Sequence, residues 1–288
     1  MGRRQVVRQR VLVSPFLGSN PSGPVSSICK VHHQKLILFD FDGVIVNGID
    51  EYWFSSKLAC EKYLLNNSKN LNIDKYKEVP KIFAEIRPWV KYGWEMVLIT
   101  HEILKTYDPL NNLTKSSFIE NYEENCSKLL LEYSWKSIEL QQSLDNARVF
   151  QIRNDFKKWI SLHRPFNEVV SFIKYAKDKG FKIGVISTKG KIFTSKILSS
   201  LDIFPELIFG YESGSKVDII SNLSLNYDIK GFVEDRRKTL TNILENDHTK
   251  LINCYLAEWG YLKSTDKIDL PQGIKLLKIK NLEDIVAN

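Results

Sequence analysis

Two aspartates two residues apart, Asp40 and Asp42, stand at the end of an apolar run in the stretch LILFDFDGVIVNG, residues 36–48. Adjacent like charges in a partly dry place repel, and they persist only with a cation or a shared proton. Farther along the chain stand Ser187 and Thr188, then Lys216, then the acidic pair Glu234 and Asp235. The four acids are hard oxygen donors, of the kind that hold an octahedral Mg²⁺ together with water and phosphate. A cation among them also answers the repulsion between Asp40 and Asp42. Ser187 offers a hydroxyl and Lys216 an ammonium, both suited to phosphate oxygens. Carboxylates, Mg²⁺, a hydroxyl and an ammonium together point to phosphoryl chemistry.

Such residues need elements that bring them together. Lys35 to Phe41 predicts a buried strand, on which residues two apart share a face, so that the two carboxylates leave it side by side. From Arg164-Pro165 onward, amphipathic helices alternate with short apolar strands such as FKIGVIST, ELIFG, KGFVED, LINCYLAEW and IKLLKI. That alternation predicts an α/β fold with a parallel sheet flanked by helices. Sites in open parallel sheets lie beyond the carboxyl ends of the strands. The residues just after each predicted strand are the ones named above, with Tyr211 to Lys216 and Glu258 to Tyr261. Between about Asp50 and His163 the pattern is helical throughout, with no convincing strand. EYWFSSKLACEKYLL, VPKIFAEIRPWVKYGWEMVLITHEIL and FIENYEENCSKLLLEYSW all repeat apolar residues at three and four.

With its motifs in this order the chain resembles the haloacid dehalogenase (HAD) superfamily. DFDGV at 40–44 is similar to the nucleophile motif, IST at 186–188 to the second, Lys216 in YESGSK to the third, and VED at 233–235 to the fourth. The resemblance implies a Rossmann-like core over 35–50 and 164–288, and a helical C1 cap over 51–163. In flavour the chain resembles HAD-like hydrolases of cyanobacteria and plastid-bearing organisms. The resemblance implies that Asp40 attacks phosphorus and forms an aspartyl-phosphate, while Asp42 protonates the leaving oxygen and then deprotonates water. Ser187, Thr188 and Lys216 would bind the phosphoryl group. Asp40, the Asp42 carbonyl, Asp235 and Glu234 would hold Mg²⁺. The implied enzyme is a Mg²⁺-dependent phosphatase of a small phosphorylated metabolite. Its rivals are a phosphomutase on the same core, a dehalogenase, which Asp42 argues against, and a non-catalytic binding module. Asn47 departs from the family's usual acid, and no second acid follows Asp235 at three to five residues. In the helical part Trp53, Trp89, Trp94, Arg87 and Lys91 are candidates for the pocket, although aromatics at helical spacing are more often core. Lys189, Tyr211, Arg236 and Trp259 flank the motifs, with solvated or packing roles expected.

Composition narrows the classes. A hydrophobic share of 43% and a charged share of 26% over 288 residues suit an ordinary globular protein with a sizeable core. The net charge of +7 is concentrated in residues 1–34, where Arg3, Arg4, Arg8, Arg10 and Lys30 meet no acid. The body is nearly balanced, so no nucleic-acid partner is expected. No apolar stretch approaches the roughly 18 to 20 residues of a membrane span, and no membrane partner is expected. Cys29, Cys60, Cys126 and Cys254 are far apart, which predicts buried, reduced thiols in a cytosol-like compartment. Residues 1–34 are expected to be a disordered tail or a mis-assigned start. As a transit peptide they would place the protein in a plastid.

Overall fold

Leu36, Ile37, Leu38 and Phe39 are all fully buried, which a strand achieves only with layers packed on both of its faces. The computed structural model, which describes residues 33–64, 71–105 and 115–287, places them in β1 (Gln34–Phe39), near the middle of a six-stranded sheet. The other strands are β4 (Lys182–Ile186), β5 (Leu207–Phe209), β6 (Tyr227–Glu234), β7 (Cys254–Ala257) and β8 (Ile274–Leu277). Their order is β5-β4-β1-β6-β7-β8, and every neighbouring pair is parallel. The α/β fold expected from the alternation is the one observed.

The period of two along β1 divides the core. Ile37 and Phe39 face one cluster, with Phe172 and Ile173 of α8 (Asn167–Asp178) and Phe193 and Ile197 of α9 (Lys191–Ser200). Leu36 and Leu38 face the other, with Ile219 and Ile220 of α10 (Lys216–Ser224) and Leu240 and Ile243 of α11 (Arg237–Glu245). A short α12 (Asp284–Ala287) adds Ile285 to the first cluster. Gly180, at φ +85°, ends the α8 turn in the left-handed region and leads into β4.

The segment between β1 and α8 is mainly helical. It holds α1 (Ile49–Tyr63), α2 (Lys81–Ile86), α3 (Gly93–Leu104), α4 (Lys115–Glu120), α5 (Tyr122–Glu132), α6 (Ser137–Asn154) and α7 (Phe156–Ser161). Its own core gathers Trp53, Phe83, Met96, Ile99 and Leu144, among others. Among the described residues no helix is long and apolar enough to cross a membrane. Cys60, Cys126 and Cys254 are buried free thiols, whereas Cys29 and the basic segment 1–32 lie outside the described residues.

Two local expectations change, and one short strand pair falls outside the expectations. The first strand stops at Phe39, and the chain leaves the sheet at Asp40 in a turn where Ile45 N and Val46 N both donate to Phe41 O, at 2.9 and 3.2 Å. Asp40 and Asp42 therefore leave a turn and not a strand. The stretch 50–163 is bracketed by a two-stranded antiparallel pair, β2 (Val46–Asn47) with β3 (Arg164–Pro165), too short for any alternation to reveal. The apolar periodicity of 79–104 is interrupted at Arg87–Trp89, a 3₁₀ turn, because Pro88 has no N–H to donate and α3 restarts only at Gly93.

Candidate active site

β1 and β6 are adjacent, so the residues following them meet. Asp40 N donates to Val233 O at 2.8 Å, which carries the pairing one residue past the strand and sets the Asp40 carboxylate beside Glu234 and Asp235. One carboxylate oxygen from each of Asp40, Glu234 and Asp235 lies within 4.8 Å of the others, and all three residues are buried. Lys216, the first residue of α10, reaches in from the neighbouring loop. Its ammonium donates to Asp40 Oδ1 at 2.5 Å and to Glu234 Oε2 at 2.7 Å. The other Glu234 oxygen accepts from Asp235 N and Arg236 N, both at 3.0 Å, and Asp235 Oδ2 accepts from Tyr261 N at 2.8 Å. The Glu234 and Asp235 carboxylates are thus fixed by backbone N–H groups, and that of Asp40 by Lys216.

Electrostatics follow from that crowding. Burial, then the neighbouring Glu234, push the Asp40 carboxyl up to about 7, with Lys216 pulling the other way. Burial, Glu234 and Asp40 likewise hold Asp235 well above the ordinary carboxylate range. Burial opposes the Lys216 charge, but Asp40 and Glu234 overcome it and raise that ammonium above its usual value. One ammonium against these buried carboxylates leaves a negative excess. A hard divalent cation fits both the charge and the all-oxygen donor set.

Asp42 turns elsewhere. Its Oδ2 accepts from Tyr52 of α1 at 3.3 Å, and its Oδ1, buried, has no hydrogen-bond partner among the described residues. The turn that makes this possible needs Gly43, at φ +94°, where a Cβ would sit 2.0 Å from Asp235 Oδ2.

Asp40, Asp42, Ser187, Thr188, Lys216, Glu234 and Asp235 all line one cavity of about 320 Å³. Ser187 follows β4, and its N–H donates to Phe209 O at 2.9 Å, so the loop is held by the next strand. The seven residues expected to carry the chemistry are therefore brought to the same place. From the helical segment Arg87, Lys91 and Tyr92 join the lining. The tryptophans do not: Trp53 is fully buried in the helical core, and Trp89 and Trp94 pack against it.

Residues 34–221 match the family model of haloacid dehalogenase-like hydrolases, well over half of the chain. The chain belongs to that family. Among curated proteins none matches it in sequence. Similar solved structures include a predicted phosphatase from Clostridium acetobutylicum, 16% identical, with a TM-score of 0.55 over 88% of this chain and 99% of that one. A predicted phosphoglycolate phosphatase from Haemophilus somnus is 16% identical, with a TM-score of 0.53 over 88% of this chain and 97% of that one. A protein assigned as a beta-phosphoglucomutase from Thermotoga maritima is 13% identical, with a TM-score of 0.50 over 88% and 99%. At these identities the likeness is one of fold.

In this HAD-like hydrolase the structure gives specific partners to residues that the sequence offered only as pocket candidates or flanking positions, whereas Tyr52, bonded to Asp42, carried no signal of a role in the sequence. Arg87 is buried, stacks 4.0 Å from the Tyr261 ring centroid, and has an Nε without a hydrogen-bond partner. The Tyr261 hydroxyl donates to Asn47 Oδ1 at 2.7 Å and accepts from Gly48 N at 3.0 Å, which gives Asn47 a structural task where the family usually has an acid. Arg236, expected at the surface or in packing, lines the cavity and donates to Val90 O at 2.7 Å. Tyr211 also lines it and donates to Asp145 Oδ2 at 3.0 Å. Trp259 has the packing role, its indole N–H donating to Val44 O at 3.1 Å. Lys189 is fully buried, contrary to a solvated role.

Proposed function

We propose that this HAD-like hydrolase is a Mg²⁺-dependent phosphatase of a small phosphorylated metabolite, working through an aspartyl-phosphate on Asp40. The observation that carries this reading is the Asp40 carboxylate itself, held by Lys216 in the wall of a cavity that Asp42, Ser187 and Thr188 also line. In the first step an Asp40 oxygen attacks phosphorus and the bond from phosphorus to the ester oxygen breaks, with Asp42 giving that oxygen its proton. In the second, Asp42 takes a proton from water, the water oxygen attacks phosphorus, and the Asp40–phosphorus bond breaks to release phosphate. Ser187, the Thr188 backbone and Lys216 hold the equatorial oxygens throughout. Asp40, Asp235 and the Asp42 carbonyl, with Glu234 beside them, would hold Mg²⁺, whose charge offsets the repulsion between carboxylate and phosphoryl group.

Residues 51–163 serve in this reading as a C1-type cap that excludes water and reads the leaving group. Arg87, Lys91 and Tyr92 in the cavity wall support it. A reducing compartment such as the cytosol suits the buried thiols. Replacing Asp40 with Asn is expected to abolish phosphate release from a generic phosphoester in the presence of Mg²⁺, with the circular dichroism spectrum unchanged. Undiminished turnover would sink the assignment.

A further inference from the structure

Beside Asp42 lies a chain of buried charges that the proposed chemistry does not use. Glu51, Arg148 and Lys189 have fully buried side chains, and they come from α1, α6 and the loop after β4. Arg148 grips Glu51 with two donors, Nε to Oε1 at 2.8 Å and Nη2 to Oε2 at 3.2 Å, while Ser55 Oγ donates to Oε1 at 2.7 Å. Lys189 Nζ donates to Glu51 Oε2 at 2.6 Å. The same ammonium stands 3.6 Å from Asp42 Oδ1, the buried oxygen without a hydrogen-bond partner, and 4.3 Å from the centroid of the Tyr52 ring. Tyr52 holds the opposite oxygen of Asp42. Gly48 closes the remaining side, where a Cβ would lie 2.4 Å from Asp42 Oδ1. The backbone of Lys189 also touches the site, its N–H donating to Ser187 Oγ at 3.0 Å.

A buried ion network adds little stability over apolar side chains of equal volume, so stability alone does not account for it. A long lysine side chain has many rotamers, and its ammonium is a fixed charge only if something pins it. Here Glu51 pins it, and Arg148 pins Glu51. We propose that Glu51, Lys189 and Tyr52 are positioning residues that clamp the Asp42 carboxyl from both of its oxygens in the orientation needed to protonate the leaving oxygen. Resting on Asp42 as the general acid, the clamp predicts damage confined, up to departure of the leaving group, to esters whose leaving oxygen needs a proton.

The test compares p-nitrophenyl phosphate, whose phenolate departs without a proton, with glycerol phosphate, whose alkoxide does not. The readout is the ratio of kcat/KM for the alkyl ester to that for the aryl ester, because kcat/KM covers events up to departure of the leaving group. General acid catalysis is worth roughly 10²–10⁴-fold, so Lys189→Met, Glu51→Gln and Tyr52→Phe should each lower that ratio by at least about tenfold. Lys189→Arg, which keeps the charge, should retain more of it than Lys189→Met. Asp42→Asn is the reference and should lower the ratio most. If Asp42→Asn collapses the ratio and the three clamp variants do not, the clamp is wrong and the general acid stands. If Asp42→Asn lowers both esters equally, the general-acid role of Asp42 fails and the clamp with it; if the unaltered enzyme releases phosphate from neither, the phosphatase reading fails as well. Should Lys189→Met fail to fold, Tyr52→Phe, which removes only a hydroxyl, decides the matter.

Discussion

Gly43 shows how much of the site hangs on single atoms. Its φ of +94° is one that L side chains rarely adopt, and an added methyl would collide with the Asp235 carboxylate at 2.0 Å. Gly43→Ala is therefore expected to destabilise the fold by at least about 1–2 kcal/mol, read by urea unfolding. It should also slow phosphate release by roughly 10²-fold, the usual cost of displacing a reacting group by an ångström. Unchanged turnover would mean that the Asp235 position is irrelevant to the reaction. The paired aspartates beside it were legible in the sequence because two acids at the end of an apolar run conflict with burial. Glu51, Tyr52 and Lys189 were not, since a charged or amphipathic side chain on a helix or after a strand reads alike whether it faces water or a buried partner.

At the scale of elements, the turn that leaves α7 buries His163 against the ion network. Its Nε2 is 3.8 Å from Glu51 Oε2, yet burial and then the nearby Lys189 outweigh that attraction and lower the imidazole to about 4. The folded state thus favours neutral histidine, whereas the unfolded chain titrates near the ordinary value of about 6.5. A base whose folded value is lowered contributes no penalty above the unfolded value and costs stability as the pH falls from there toward the folded one. Between pH 7 and pH 5 the unfolding free energy is expected to fall by about 2 kcal/mol more in the native chain than in His163→Gln. Parallel pH curves for the two proteins would refute the burial argument. Helices and strands were placed well by period and by Gly and Pro signals, as with Gly180. The two-residue strands β2 and β3 were invisible because a period cannot be read from two positions.

At the scale of the molecule, Lys189 from the sheet layer is tied through Glu51 to α1 and through Arg148 to α6, residues 97 and 138 positions apart from Glu51 in sequence. Breaking a fully buried pair strands the remaining charge. Arg148→Met should therefore cost about 3–5 kcal/mol in urea unfolding. Lys128→Met, which breaks an exposed pair with Glu124, is expected to stay within about 0.5 kcal/mol of the unaltered chain. Similar losses in the two variants would contradict the burial of the network.

The sequence by itself determined the α/β fold, the order of the strands' carboxyl-end residues and the group of acids, hydroxyl and lysine that meet there. These follow from local rules, namely period, turn residues and the placement of sites past strand ends. Only the tertiary structure decided which charges are buried, that Asp42 faces Tyr52 and Lys189 while Asp40 faces Lys216, and that Arg87 joins the cavity while the tryptophans do not. Burial is a property of what packs over a residue, and the residues that cover these charges are remote along the chain.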